Sequence, residues 1–333
     1  MKRRAVTLVE VLIAMFIMAI GLMGILALFA MGTLQTAQAV KDERTAQTAN
    51  FMEVHAKFLW REAWTDAQGL KDESSVLTAN PELFALDDPD PTRNNAVSIV
   101  VEINDANSIY NKRRLQGTAS SPVYIDPIGY AFQPASSRNW VGGVPILPRR
   151  SMSIITNLPV AGGAQNAARI RLFTLLDDLT FGTNGLPANT VERAGNYNAA
   201  YLIQRIKNNA RTEINLQIIV YFKRPPTDTF VAETPITNVT IPPNVVGTRE
   251  LPVNPAGVPT PKKGTWMLVT GTATATSDAF ADFYRVVAVA PGTIEFAQPI
   301  RAHAIPGAAY SGVLIQMENV AEVFDKGTVT LRR

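Results

Sequence analysis

Hydrophobic and polar positions along the chain fall into three regimes. From Val11 to Leu34 the sequence runs for 24 residues without a charge. Read as a helix, that stretch is about 36 Å long, enough for a hydrocarbon core of ~30 Å with some tilt. From Gln35 the composition turns polar, but no Pro or Gly occurs between Thr33 and Gln68. Val40, Phe51, Val54 and Phe58, joined by Met52, Leu59 and Trp60, recur mostly at steps of three and four. That spacing predicts that the same helix continues, carrying an apolar stripe that presses on a β-sheet. One helix over residues 6–66 results, its front half apolar on every face and its rear half amphipathic.

The third regime begins at Ala96 and consists of short extended runs. Ala96–Ile103, Val123–Phe132 and Ser151–Ile155 are strand candidates, while Arg169–Phe181 reads equally as helix or strand. Thr212–Lys223 is the clearest strand, because Ile214, Leu216, Ile218, Val220 and Phe222 alternate with a more polar set. This is the period-two mark of a half-buried antiparallel strand. Ala199–Lys207 precedes it as a hairpin partner. Residues 225–261 hold nine of the 22 prolines, a density that central strands do not tolerate. A surface meander or linker is expected there. Trp266–Val269, Phe283–Ala290, Thr293–Pro299, Val313–Met317 and Thr328–Leu331 then form a second β cluster. The expected fold class is α+β: a long N-terminal helix packed on an antiparallel sheet, with a further C-terminal β-rich subdomain. The expected divisions are 1–5 leader, 6–66 helix (membrane span about 11–34), 67–95 polar connector, 96–224 sheet domain, 225–263 meander and 264–333 β-rich subdomain.

Composition narrows the chemistry. The chain has 333 residues, no cysteine and two histidines, His55 and His303. Disulfide scaffolds, thiol nucleophiles and Cys-based metal sites are excluded. His55 is expected at the surface or boundary of the helix, and His303 in an exposed loop. The net charge of +3 arises from 31 basic and 28 acidic residues, and Lys2, Arg3 and Arg4 account for all of the excess. The rest of the chain is formally neutral, so no nucleic-acid partner is expected. The doublets Arg113-Arg114, Arg149-Arg150, Lys262-Lys263 and Arg332-Arg333 read as solvated surface charge. No P-loop, dinucleotide fingerprint, H-E-x-x-H or G-x-S-x-G motif occurs, and Asp177-Asp178 and Asp87-Asp88 read as ordinary turn acids. No enzyme is expected.

The basic residues lie before the apolar stretch, so the positive-inside bias places the N-terminus in the cytoplasm and the bulk of the chain outside. A cleaved secretory signal with an Ala37-Gln38-Ala39 site is one alternative, but its apolar region would be too long. A plain single-span anchor and a buried soluble helix are others. Glu10 adds the sharper signal, since a carboxylate at the mouth of an apolar helix is costly in lipid and usually functional. Arg4-Ala5-Val6-Thr7-Leu8-Val9-Glu10 resembles the leader of type IV pilins and type II secretion pseudopilins. The string Glu10–Leu28 looks most like minor pilins of the pilus-modification type and minor pseudopilins.

The resemblance implies a structural subunit of a type IV pilus or type II secretion filament. It implies cleavage between Ala5 and Val6, N-methylation of Val6, and Glu10 as the assembly residue, one helical turn along. It implies a prepilin peptidase/methyltransferase and other pilins or pseudopilins as partners, with inner-membrane lipid around the helix before assembly. The expected location is the inner membrane, single-pass, then a cell-surface or periplasmic filament. Two residues depart from the common pattern: Ala5 stands for Gly and Val6 for Phe. Ala27 stands where a proline often sits, leaving Gly21 and Gly24 as the flexible points, although ordinary membrane helix packing also explains that pair. Some pseudopilins hold calcium, and Asp88, Asp90, Thr92 and Asn94 alternate loosely like a calcium loop. No glutamate at the EF-hand distance and no fixing glycine follows, so a proline-rich turn is expected, with Asp88 and Asp90 as the Ca2+ alternative and otherwise no cofactor. The rival function is a membrane-anchored or secreted β-rich ligand-binding protein, with carbohydrate as its ligand.

Overall fold

A computed structural model describes residues 8–66, 69–86, 93, 96–108, 121–133, 138–145, 147–152, 172–174, 179–180, 192–193, 197–205, 213–224, 233–243, 245–253, 261–273, 279–301 and 310–330. The chain divides into two compact units, Met1–Gln47 and Thr48–Arg333. The first unit is the front of α1, a helix that runs unbroken over Leu8–Trp64. Its polar part is tied along its own surface. Gln38 donates to Asp42 at 2.9 Å and Gln47 to Glu43 at 3.1 Å, both four residues apart.

Among its described residues the second unit holds the rear of α1, four short α-helices and fifteen strands. After α1 come a small ribbon, β1 (Thr65–Asp66) and β2 (Gly69–Leu70), then α2 (Glu73–Ala79), α3 (Pro81–Phe84) and α4 (Ala96–Asn104). Then come β3 (Val123–Ile125), α5 (Pro127–Phe132), β4 (Arg149–Arg150), β5 (Leu179–Thr180), β6 (Glu192–Arg193), β7 (Tyr197–Arg205) and β8 (Glu213–Phe222). The rest is β9 (Glu233–Ile241), β10 (Glu250–Pro252), β11 (Trp266–Ala273), β12 (Ala279–Ala290), β13 (Thr293–Phe296), β14 (Tyr310–Met317) and β15 (Val320–Thr330).

Two sheets dominate. The first is five-stranded in the order β15-β8-β7-β3-β4, antiparallel except at β3–β4. The second is six-stranded in the order β10-β13-β12-β11-β14-β9 and wholly antiparallel. The rear of α1 packs on one face of the first sheet, where Met52 and Trp60 join Ile203, Ile214, Leu216 and Ile218. The opposite face, with Tyr124, Leu202, Ile219 and Tyr221, meets Trp266, Leu268, Phe283 and Ile315 of the second sheet. A third cluster fills the other face of the second sheet around Val269, Phe280, Phe296 and Leu314. The α+β class stands, layered as helix, sheet and sheet.

Several expectations are corrected. Ala96–Ile103 is helix, not strand: Ile99 is buried and Ile103 packs beside it, four residues apart on one helical face. Tertiary burial at that spacing outweighs the preference of its β-branched residues for strands. Val123–Phe132 is strand only to Ile125. Pro127 then opens α5, and the Asp126 carboxylate caps it by accepting from the Gly129 N–H at 2.9 Å. Residues 151–152 lie in no strand, and 153–155 fall outside the described residues. The polar connector 67–95 carries α2 and α3 and buries Val76, Leu77, Leu83 and Phe84 in the first core. The proline-dense meander contributes β9 and β10, which close the two edges of the second sheet. Pro235 and Pro252 sit in those edge strands, where a missing N–H leaves no ladder bond unmade. The last strand leaves the C-terminal cluster and pairs with β8 instead. That second sheet also buries β8 on both faces over Ile218–Tyr221, where a half-buried strand was expected.

Candidate functional site

The front of α1 is the first candidate. Its side chains from Leu8 to Leu34 are exposed, among them Phe16, Leu28 and Phe29. A helix bare and apolar on all sides is not a water-facing element; such a surface belongs in lipid or against other helices. Among the described residues this is the helix long and apolar enough to cross a membrane. Glu10 stands exposed in the first turn, where the helix dipole favours a negative charge. Gly21 and Gly24 have nothing within 4 Å of the position a Cβ would take, so neither is required by packing inside this chain. Lys2, Arg3, Arg4, Ala5 and Val6 fall outside the described residues.

The rear of α1 splits the expected stripe: Met52, Leu59 and Trp60 face the sheet, and Val40, Phe51, Val54 and Phe58 do not. The face on the sheet is Ala49, Met52, Ala56, Leu59, Trp60, Ala63 and Trp64. Phe51, Val54 and Phe58 point away, with Val54 69% and Phe58 60% exposed. Small alanines stand on this sheet-facing side, and the bulkier Phe51, Val54 and Phe58 form a second apolar row on the opposite side at i, i+3 and i+7.

His55 sits at the boundary, as expected. Its Nδ1 lies 2.9 Å from the Tyr201 hydroxyl, which also donates to the Met52 carbonyl at 3.1 Å. Phe51 stacks on the imidazole and Phe173 meets it edge-on. Burial pushes its pKa below the ordinary histidine value.

A buried charge cluster went unseen in the sequence. Asp126 at the start of α5 takes Arg224 in a two-pronged pair, with Nη1 on Oδ1 at 2.9 Å and Nη2 on Oδ2. Arg149 of β4 lies beside the same carboxylate, Nε to Oδ2 at 3.6 Å, and binds Glu233 of β9 through Nη2. The Gly142 N–H donates to the other Glu233 oxygen at 2.7 Å. The Arg224 guanidinium lies 4.2 Å from the centre of the Tyr221 ring, and Tyr221 bonds Tyr124 hydroxyl to hydroxyl. Arg149 and Arg150, expected at the surface, are buried. The pairing makes that tolerable for Arg149, since its guanidinium and that of Arg224 meet two carboxylates, while Arg150 donates to the Arg149 carbonyl at 3.1 Å. Burial pushes the Asp126 carboxyl up, but Arg224, Arg149 and the Gly129 N–H outweigh it and hold the group below the usual carboxylate range. The cluster joins β3, α5 and β4 to β9 of the second sheet. Only the Arg149-Arg150 doublet hinted at it, and a doublet says nothing of partners 84 and 98 residues apart in sequence.

Asp88, Asp90, His303, Asp177-Asp178, Arg113-Arg114 and Arg332-Arg333 lie outside the described residues. Lys262-Lys263 is exposed, as expected. Among the described residues no group of three or more His, Cys, Asp or Glu side chains is placed to hold a metal ion.

Residues 1–31 match the family model described as the prokaryotic N-terminal methylation motif. Curated proteins offer no match to the chain. The motif implies processing by a prepilin peptidase and assembly with other pilins, and proteins of this type are structural rather than enzymatic. With that motif at its head and the bare apolar helix carrying it, the first 31 residues of the chain are similar to the N-terminal segment of type IV pilin-like proteins.

Proposed function

We propose that the chain is a minor pilin or pseudopilin-like subunit of a type IV pilus or type II secretion filament, assembled through α1. The observation that carries this is the exposure of α1: apolar on every side in front, and apolar again along Phe51, Val54 and Phe58 behind. Lys2, Arg3 and Arg4 keep the leader cytoplasmic. A prepilin peptidase cuts between Ala5 and Val6, and the Val6 amine is then N-methylated, which keeps its positive charge. Glu10, one turn along, pairs with the Val6 amine of a neighbouring subunit. An unpaired carboxylate costs several kcal/mol in low dielectric, so this pair sets the axial register as the subunit leaves the inner membrane. Gly21 and Gly24 lower helix stability by about 1 kcal/mol each and let the helix adapt to its neighbours. The rear row, Phe51, Val54 and Phe58, extends the same contact beyond the membrane span. The large exported β-rich unit suits a tip or sparsely incorporated position better than a repeating shaft, since bulk is hard to tile.

Intact-mass analysis of the N-terminus of protein from its native host tests the reading. A methylated Val6 terminus is expected. A terminus near Val40 would mean ordinary secretion, and a retained Met1 a plain anchor. Glu10→Ala is expected to insert into the membrane normally and fail to enter filaments; normal incorporation would remove the pairing mechanism.

A further inference from the structure

Between the rear of α1 and the first sheet lies a cavity of about 470 Å3. That volume is within the range of small-molecule sites, and the lining is mainly apolar with a few polar groups, as such sites are. Its walls are Leu59 and Trp60 on the helix and Ile203, Ile214 and Leu216 on the sheet. The space has a clear origin in the sequence. The helix face that looks at the sheet here carries Ala56 and Ala63, and side chains that small leave the layer unfilled. Tyr201 also lines it, but its hydroxyl is engaged by His55 and the Met52 carbonyl, so that wall offers no free donor.

Polar groups reach the lining where α1, β2 and the α2–α3 junction meet. Glu62 and Ala79 are exposed and Lys71 is half-buried, so this is the side open to solvent. The Lys71 ammonium donates to the Glu62 carbonyl oxygen at 2.8 Å. That acceptor is a neutral backbone group, and an ammonium has two further N–H bonds to give. Two carboxylates share the lining: Glu62 is exposed, and Glu82 is buried with an interaction of its own. Among the described lining residues, Lys71 is the cation.

We propose that this cavity binds one long acyl chain, with an anionic head, carboxylate or phosphate, on the Lys71 ammonium. An apolar slot closed by two sheet strands and a helix admits a flexible hydrocarbon tail, and a single cation at its mouth selects a negative end over a neutral one.

The test uses the full-length protein in phosphatidylcholine nanodiscs and 9,10-dibromostearate, whose bromines quench nearby tryptophan. Saturable quenching is expected, reduced in Trp60→Phe, which leaves Trp64 with its ring 5.9 Å from that site, and abolished in Ala63→Phe, which fills the cavity. Lys71→Gln is expected to weaken binding about tenfold. Discs made with brominated phosphatidylcholine separate the two sources. Quenching there without added fatty acid makes the occupant a phospholipid tail; quenching by dibromostearate alone makes it a free acid. Quenching that rises linearly with probe, or is unchanged by Ala63→Phe, overturns the site. Should Ala63→Phe lower the thermal midpoint, Ala56→Leu takes its place with the same two outcomes. Equal affinity in Lys71→Gln overturns the assignment of the head group.

Discussion

Glu10 and Asp126 are both carboxylates at the start of a helix, yet they live by different rules. Glu10 stands on an exposed turn at the front of α1, and its meaning comes from its distance along the chain to Val6 and to the apolar run behind it. Asp126 is wholly buried, and its meaning comes from Arg224 and Arg149, brought to it by folding. A charge at a fixed step from a leader and an apolar run leaves a local signature in the sequence. A charge whose partners are distant parts of the same chain leaves none.

The sharpest way to break that contrast is Asp126→Asn. It leaves two buried guanidiniums with one carboxylate between them, and an unfolding titration is expected to show a loss of about 3–5 kcal/mol, with no direct effect on the proposed processing at Ala5–Val6. The same group fixes the acid limit. Its folded pKa lies below the unfolded value of about 3.9, so its contribution is full above that value and is lost as pH falls through the folded pKa. Thermal midpoints of wild type and Asp126→Asn should therefore converge in strong acid.

Gly129→Ala tests the geometry without removing a charge. A Cβ there would overlap Asp126 Oδ2 and Arg224 Nη2, the two atoms of the buried pair. The expected cost is about 1–3 kcal/mol, the range for overpacking a filled core. A neutral result would mean the pair has room to move.

Phe51→Ser with Phe58→Ser reverses the pattern. Both residues are exposed, so each change should stay within about 0.5 kcal/mol by denaturant. Filament incorporation, read by immunoblot of sheared filaments, should fall. A fall in stability with unchanged incorporation would return these residues to the chain's own core.

The smallest effect belongs to His55. Its folded pKa is lowered by burial, so the neutral ring's contribution is full above the unfolded value of about 6.5 and is lost as pH falls from there towards the folded pKa. Wild-type thermal midpoints should drop through that window, and those of His55→Gln should stay flat by comparison.

The helix Leu8–Trp64, its apolar front and the β7–β8 hairpin were legible because each rests on neighbours in sequence. The stripe on the rear of α1 was legible at Met52, Leu59 and Trp60 but not at Phe51, Val54 and Phe58, which stand exposed. Phe and Val are the more hydrophobic residues, but Ala49, Ala56 and Ala63 stand on the covered face, and hydrophobicity alone does not say which face folding covers. Ala96–Asn104 was misread for a related reason: β-branched residues favour strands until an i, i+4 pair such as Ile99 and Ile103 is wanted by a core. Prolines in β9 and β10 argued correctly against a central strand and said nothing of edges.

Local order in the chain settled the leader pattern, the acid one turn beyond Val6 and a span long enough for a membrane, because leader recognition and helix periodicity act over a few residues. Folding alone decided which face of α1 meets the sheet, that β15 returns to β8, and that Asp126, Arg149, Arg224 and Glu233 share one dry cluster. Those outcomes depend on contacts between residues far apart in sequence, 108 positions at Asp325↔Gln217 and 149 at Tyr201–Met52, and no short window of sequence carries that information.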